Sequence, residues 1–208
     1  MNYLSPSEYQ LYGLVATIAP ALVGAASSLI DAHCRRASLA ITQYEERIRM
    51  LPDRNTARLS YLPLTALAPA TSPIVSARGR YTISRRSELS LDEVRVDAAL
   101  AFGLPGSWTG IDPATLDFDP ATGEVTFPLS VIGLWFSEID TVYTAGFNPI
   151  PDAIKYACAQ IVRNAEATPA VNVKSGGVDR LRMEYFAPDL LDASVRSLLA
   201  PFVAQKAG

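Results

Sequence analysis

The chain opens on a helix start signal followed by a long uncharged run. Ser5, Pro6, Ser7 and Glu8 match a capping box, in which Ser5 accepts from the Glu8 amide while Glu8 reaches back. They predict a helix to about Thr17, broken before Pro20. A second helix from about Pro20 to Arg36 places Leu22, Ala26, Leu29 and Ile30, then His33, at helical spacing, with His33 a partly buried structural residue at the edge of that face. The stretch LYGLVATIAPALVGAASSLI, Leu11 to Ile30, holds no charge and is long enough to span a bilayer. Pro20, Gly13, Gly24 and the Ser27-Ser28 pair dilute it, and the leading MNYLSPSEYQ, with Glu8 and no basic residue, argues against a secretory signal. The favoured reading is a helix pair buried by its own core and by neighbouring subunits.

From Leu39 to Phe147 the pattern changes. Prolines at 52, 63, 69, 73, 105, 113, 120 and 128 exclude long helices, and short β-prone runs lie between them. LAITQYEERIRM reads as a strand, which sends adjacent Glu45 and Glu46 to opposite faces. ARLSYL, PIVSARGRYTIS, VRVDAAL, EVTFPL and SEIDTVYTAGF are the other strand candidates. DPATGEVTF reads as a turn into a strand, with Asp119 bonding its own backbone and Gly123 at positive φ. At the end of this region Tyr143 and Phe147 flank Gly146, which permits a turn, while Pro149 and Pro151 set the entry into the next helix. These five residues predict a structural joint between layers.

Helical spacing returns after Phe147. In PDAIKYACAQIVRNAEA, Ile154, Ala157, Cys158, Ile161 and Ala165 share a face. Gly176-Gly177 in PAVNVKSGGVDR reads as a flexible turn. PDLLDASVRSLLAPF presents Leu191, Val195, Leu198 and Phe202 on one face, with Pro201 marking its end. The expected fold class is α+β: a small helical bundle of N- and C-terminal helices with a β-rich insertion between them. The expected segments are 1-38, 39-147 and 148-208, the last packing with the first as one discontinuous helical core.

At 208 residues and 49% hydrophobic content the chain can bury a substantial core as one large domain or two small ones. A formal charge of -3 argues against a protein whose main task is gripping nucleic acid. Cys34, Cys158 and His33 are too few for a zinc site, and both cysteines read as small buried apolar residues in a reducing compartment. A triad would need His33, around which no nucleophile signature stands. DFDPATGE departs from the calcium-loop pattern, and SGGVDR lacks the lysine of a phosphate cradle. No catalytic, cofactor-binding or metal residue is assigned. RGRYTISRR holds four arginines in nine residues, and alternation puts Arg78, Arg80 and Arg86 on one side. They are candidate contacts to a partner or to DNA; the plainer reading is a solvated strand face that resists edge aggregation.

The order of two N-terminal helices, a β insertion, VYTAGF, IPDAIKYACAQIV, a glycine-containing loop and a closing LLAPF resembles the head-tail connector, or adaptor, proteins of tailed bacteriophages. The likeness is closest from Gly123 to Phe202 and weaker from Met1 to Arg36. It implies a structural protein and not an enzyme. Members form a ring, usually of twelve copies, beneath the portal and present a surface to the next neck or tail component, a stopper or tail terminator. DNA passes the lumen without sequence-specific binding, no membrane is involved, and no cofactor is implied. The implied location is the virion neck, assembled in the host cytoplasm. Val203, Gln205 and Lys206 are candidate portal contacts. The segment SELSLDEVRVDAALAFGLPGSWTGIDPATLDFD is longer than in a minimal member and is assigned to neck-specific contacts. The competing reading is a small-molecule-binding or enzymatic α+β domain, and the third a membrane-associated protein using Leu11 to Ile30.

Overall fold

The structure, a computed structural model, describes residues 2–50, 55–80, 108–128, 136–167, 175–178, 181–184 and 189–205. It is an α+β chain that divides into two units, Met1–Leu39 with Asn148–Val203, and Ala40–Phe147 with Ala204–Gly208.

The first unit contains helices α1 (Pro20–His33), α2 (Asp152–Ala167) and α3 (Ala193–Leu199), with α2 packed against both others. Small residues let α1 and α2 approach: Ser27 Oγ lies 3.7 Å from Cys158 Sγ, beside Ala26 and Ala157, all buried. Val23, Ala26, Ser27 and Ile30 form the buried face of α1. This face is rotated from the expected one, since Leu22 is exposed and Leu29 half-buried. The helix also stops earlier than Arg36: the Cys34 amide closes onto the Ile30 carbonyl at 2.8 Å, and Arg35 turns away at φ 56. His33 is half-buried, as its place in the pattern predicts.

No α-helix forms from Ser5 to Thr17. Two 3-10 turns, Pro6–Glu8 and Gln10–Tyr12, stand there instead, and Gly13 at φ 74 ends the second. The helical reading fails because Tyr3, Leu4, Tyr9, Leu14 and Ile18 all reach the core, a spacing without a 3.6-residue period. The capping box is present but starts no α-helix. The Ser5 amide and hydroxyl both donate to the Glu8 carboxylate, at 3.0 and 2.8 Å, whereas the Glu8 amide donates to the Ser5 carbonyl at 2.9 Å. The uncharged run is thereby split, and no helix among the described residues is long and apolar enough to cross a membrane.

α2 buries Ile154, Ala157, Cys158, Ile161 and Val162, the face expected from its spacing, with Ala165 half-buried. Gly176-Gly177 is not a turn. It lies in a strand, Ser175–Val178, paired antiparallel with Leu181–Glu184, where Gly176 faces Met183 and Gly177 faces Arg182. α3 begins at Asp192, whose carboxylate accepts from the Val195 amide at 2.8 Å, later than the pattern suggested. Its buried residues are Val195 and Leu199, while Leu191, Leu198 and Phe202 are half-buried.

The second unit is built from strands β1 (Thr42–Arg49), β2 (Thr56–Arg58), β3 (Ile74–Arg80), β4 (Trp108–Ile111), β5 (Asp117–Phe118), β6 (Glu124–Thr126) and β7 (Glu138–Ala145). One antiparallel sheet has the order β1-β7-β3-β4, and a smaller one β2-β6-β5. The two share a core: Tyr44, Ile74, Ala77, Ile111, Ile139 and Tyr143 from the first meet Ala57, Leu116, Val125 and Phe127 from the second and its connections. The smaller sheet therefore covers one face of the larger. β4 and β5 come from the long middle segment and were not among the expected strands, because WTGI and DF are too short to carry a period. The candidate VRVDAAL lies outside the described residues. The DPATGE turn forms as its residues predict, with the Ala121 amide donating to Asp119 at 2.9 Å and Gly123 at φ 72.

One ion pair in the first unit makes it acid-sensitive. The Lys155 ammonium, with the Ser5 donors, pulls the Glu8 carboxyl from 4.5 down to about 2. A depressed folded-state pKa stabilises fully above the unfolded value and is lost as pH falls through the folded one. Thermal melts of the wild type should therefore lose stability between about pH 4.5 and 2. In Lys155→Met this acid-dependent component should shrink, and an unchanged pH profile would show the pair to be idle.

Candidate functional site

The most concentrated chemistry lies on the face of the larger sheet opposite its core. Strand alternation sends Ile139, Thr141, Tyr143 and Ala145 of β7 toward the core side and Glu138 and Asp140 to the other. β7 is flanked by β1 and β3, so any charge on it sits between neighbours. Arg78 faces Asp140 across the β3–β7 pair and Arg80 faces Glu138; on the other side Arg47 faces Asp140 and Arg49 faces Glu138. On the edge strand, Trp108 is opposite Arg80 and Gly110 opposite Arg78.

The side chains close on one another. Arg78 makes a forked contact to one Asp140 oxygen through Nε at 2.9 Å and Nη2 at 2.6 Å. Arg80 pairs with Glu138 directly, and Arg47 reaches diagonally to the same carboxylate, Nε to Oε1 at 2.5 Å. The guanidinium carbons of Arg47, Arg78 and Arg80 lie 5.1, 5.2 and 5.1 Å from the centroid of the Trp108 ring. The Arg47 contact, with Arg80 adding to it, holds the Glu138 carboxyl below the usual range against the opposing effect of burial. The acids are covered and the bases are not: Glu138 and Asp140 side chains are 10% and 9% exposed, whereas Arg47 and Arg78 are each 52%. What this face presents outward is guanidinium and indole.

Arg78 and Arg80 thus stand together, as alternation predicts, and Arg86 lies outside the described residues. The edge-protection reading is corrected, since β3 is an interior strand between β7 and β4. Arg47, Trp108, Glu138 and Asp140 were not among the expected site residues. A signal for them exists in the alternation itself: Arg-x-Arg at 78–80 and Glu-x-Asp at 138–140 share a two-residue period and pair only if the strands are neighbours.

The end of β7 is closely packed. Tyr143 is fully buried, its hydroxyl donating to Glu46 at 2.8 Å and accepting from the Tyr61 amide at 3.3 Å. Glu46 also takes the Ser60 amide at 3.0 Å and the Ser60 hydroxyl, while Glu45 is exposed on the other face. Gly146 sits at φ 137 and passes so close to Ala40 that an added Cβ would meet its carbonyl carbon and oxygen at 2.5 Å. Phe147 is half-buried and bridges to Ala40; Pro149 follows a cis bond; the Pro151 carbonyl accepts from the Ile154 amide at 3.0 Å. Val203 is half-buried, Gln205 exposed, and Lys206 outside the described residues. Ala204 between them is buried, so the chain after Pro201 is not a free tail up to that point.

Burial pushes the thiols of Cys34 and Cys158 up to about 11, which makes them poor nucleophiles and ligands. Among the described residues no group of three or more His, Cys, Asp or Glu side chains could hold a metal ion. Comparison with the models of known protein families and with curated proteins finds no match to this chain.

Gly146→Val should destabilise the protein by at least about 1–3 kcal/mol, the cost of a β-branched residue in that backbone region, with the steric conflict at Ala40 adding to it. A melting temperature equal to the wild type's would mean that the strand end can shift away from Ala40 freely.

Proposed function

We propose that the chain is a structural head-tail adaptor, joining the DNA-filled head of a tailed bacteriophage to its neck or tail as a ring beneath the portal. In this reading the N- and C-terminal helices form a small bundle and the β-rich region is an insertion into it. The order of phrases from VYTAGF through IPDAIKYACAQIV to LLAPF supports the family.

The observation that carries the reading is the outward face of α1. Ala21, Leu22, Ala25, Ser28 and Ala32 are exposed, follow helical spacing, and include no charge. A helix facing water in a monomer carries its polar residues there. Leu11 and Val15 of the same unit are 78% and 63% exposed. Such a surface suits burial against neighbouring copies in a closed ring.

Ala26 belongs to the unit's own core and Ala25 to the exposed face, so assembly is tested at Ala25. Light scattering across a concentration series should show wild-type rings, and Ala25→Glu should remain smaller while melting at the wild-type temperature, because the charge is solvated in the monomer and buried only in the ring. Equal assembly by both proteins, or a wild type that never assembles, alone or on portal rings, would remove the reading.

A further inference from the structure

The arginine and tryptophan face has a counterpart on the same unit. From Trp108 to Asp140 the sequence contains no lysine, arginine or histidine, yet it contains Asp112, Asp117, Asp119, Glu124, Glu138 and Asp140. Glu138 and Asp140 are taken up by Arg47, Arg78 and Arg80. The other four are exposed, lie on or beside the β5–β6 hairpin, and enter none of the ion pairs among the described residues. Arg58, whose Nε bonds the Thr122 carbonyl at 3.1 Å, is the basic residue paired with this sheet, opposite Glu124. The hairpin therefore carries a negative surplus.

The two surfaces cannot satisfy each other within one copy. The small sheet packs on the core face of the large sheet, through Leu116, Val125 and Phe127, whereas Arg47, Arg78, Arg80 and Trp108 occupy the opposite face. Arg49, exposed, lies in the same row as Glu138, Arg80 and Trp108. Glu45 lies one row beyond Arg47 and reduces the surplus, but the two central acids are buried beneath the guanidiniums, so the outward charge around Trp108 is positive. The fit to a protein partner is better than to a phosphate backbone, because the chain carries a formal charge of -3 and lacks the basic surplus of a nucleic-acid binder, and because arginine and tryptophan are residues that anchor protein interfaces. The ion pairs to Glu138 and Asp140 also hold the arginines in place before contact, lowering the ordering cost.

We infer that this face docks on the Asp112–Glu124 hairpin of a second copy of the chain. The contact is heterologous: each copy offers its basic face to one neighbour and its acidic hairpin to the other, which closes into a ring or propagates as a filament. The inference rests on the assembly reading and names a contact between copies that is separate from the α1 surface.

The test is sedimentation of the full chain at low and high salt, with two variants that leave the core intact. Arg49→Glu alters the basic face at an exposed residue outside the ion pairs, and Asp117→Lys with Glu124→Lys alters the hairpin without touching the caps made by Asp112 and Asp119. Arg47→Glu can be added if the melt of Arg49→Glu is unchanged. Each variant should associate about tenfold or more weakly than the wild type, and the wild type itself should weaken as salt rises. Mixing the two variants leaves one working contact per pair, so it should give a dimer that does not grow. Association that is insensitive to both salt and the variants, while still lost in Ala25→Glu, overturns this contact and leaves the adaptor reading in place. A wild type that stays monomeric at every salt, alone and on portal rings, overturns both. A wild type that binds duplex DNA through Arg49, with self-association unchanged in Arg49→Glu, overturns the inference in favour of a nucleic-acid surface.

Discussion

A buried carboxylate must be paired, and Glu138 and Asp140 on the interior strand β7 are in that position. Much of the second unit follows from meeting this requirement. β3 supplies Arg78 and Arg80 in register, β1 supplies Arg47 from the other side, and β4 sets the Trp108 ring beneath the guanidiniums. The reverse side of β7 places Ile139 and Tyr143 in the core that holds the smaller sheet. One strand thereby separates an apolar interface inside the unit from a charged surface outside it.

The ion pairs there do not rank as large contributors to stability. Arg47 and Arg78 are half-exposed, and pairs that reach water contribute little after screening and side-chain ordering. Their consequence is geometric. An arginine held by a carboxylate and laid over an indole has few rotamers left, which suits recognition better than it suits folding. Stability of the unit rests instead on the buried residues of the two sheets and on the Glu46, Ser60 and Tyr143 cluster, where one carboxylate accepts three hydrogen bonds.

The first unit solves a different problem. Its helix α1 is short of charge and has apolar or small residues on its outward side as well as its inward side. Close approach of α1 to α2 is made possible by Ser27 and Cys158, small groups that also keep their polar atoms in contact. The Ser27 hydroxyl bonds back to the Val23 carbonyl at 2.8 Å, so a buried polar side chain is satisfied within its own helix.

Local rules account for part of this protein. Alternation in TQYEERIR and SEIDTVYTA, the face of α2 and the Asp119–Gly123 turn were all legible in the residues, because each depends on neighbours a few positions away. Other features depend on which strands meet. Whether Arg78 protects an edge or lies inside a sheet is decided by β4 pairing beside it, from a segment too short to announce itself. The 3-10 turns before Gly13 and the strand at Gly176-Gly177 were likewise decided by packing and pairing, which override the weak intrinsic preferences of apolar and glycine-rich stretches. The period of each long element and the glycine at the Asp119–Gly123 turn follow from the residues alone. Only the tertiary structure decided which charges neutralise each other, because a carboxylate's partner is chosen by strand order, and strand order is a long-range outcome of burying the two sheets against one another.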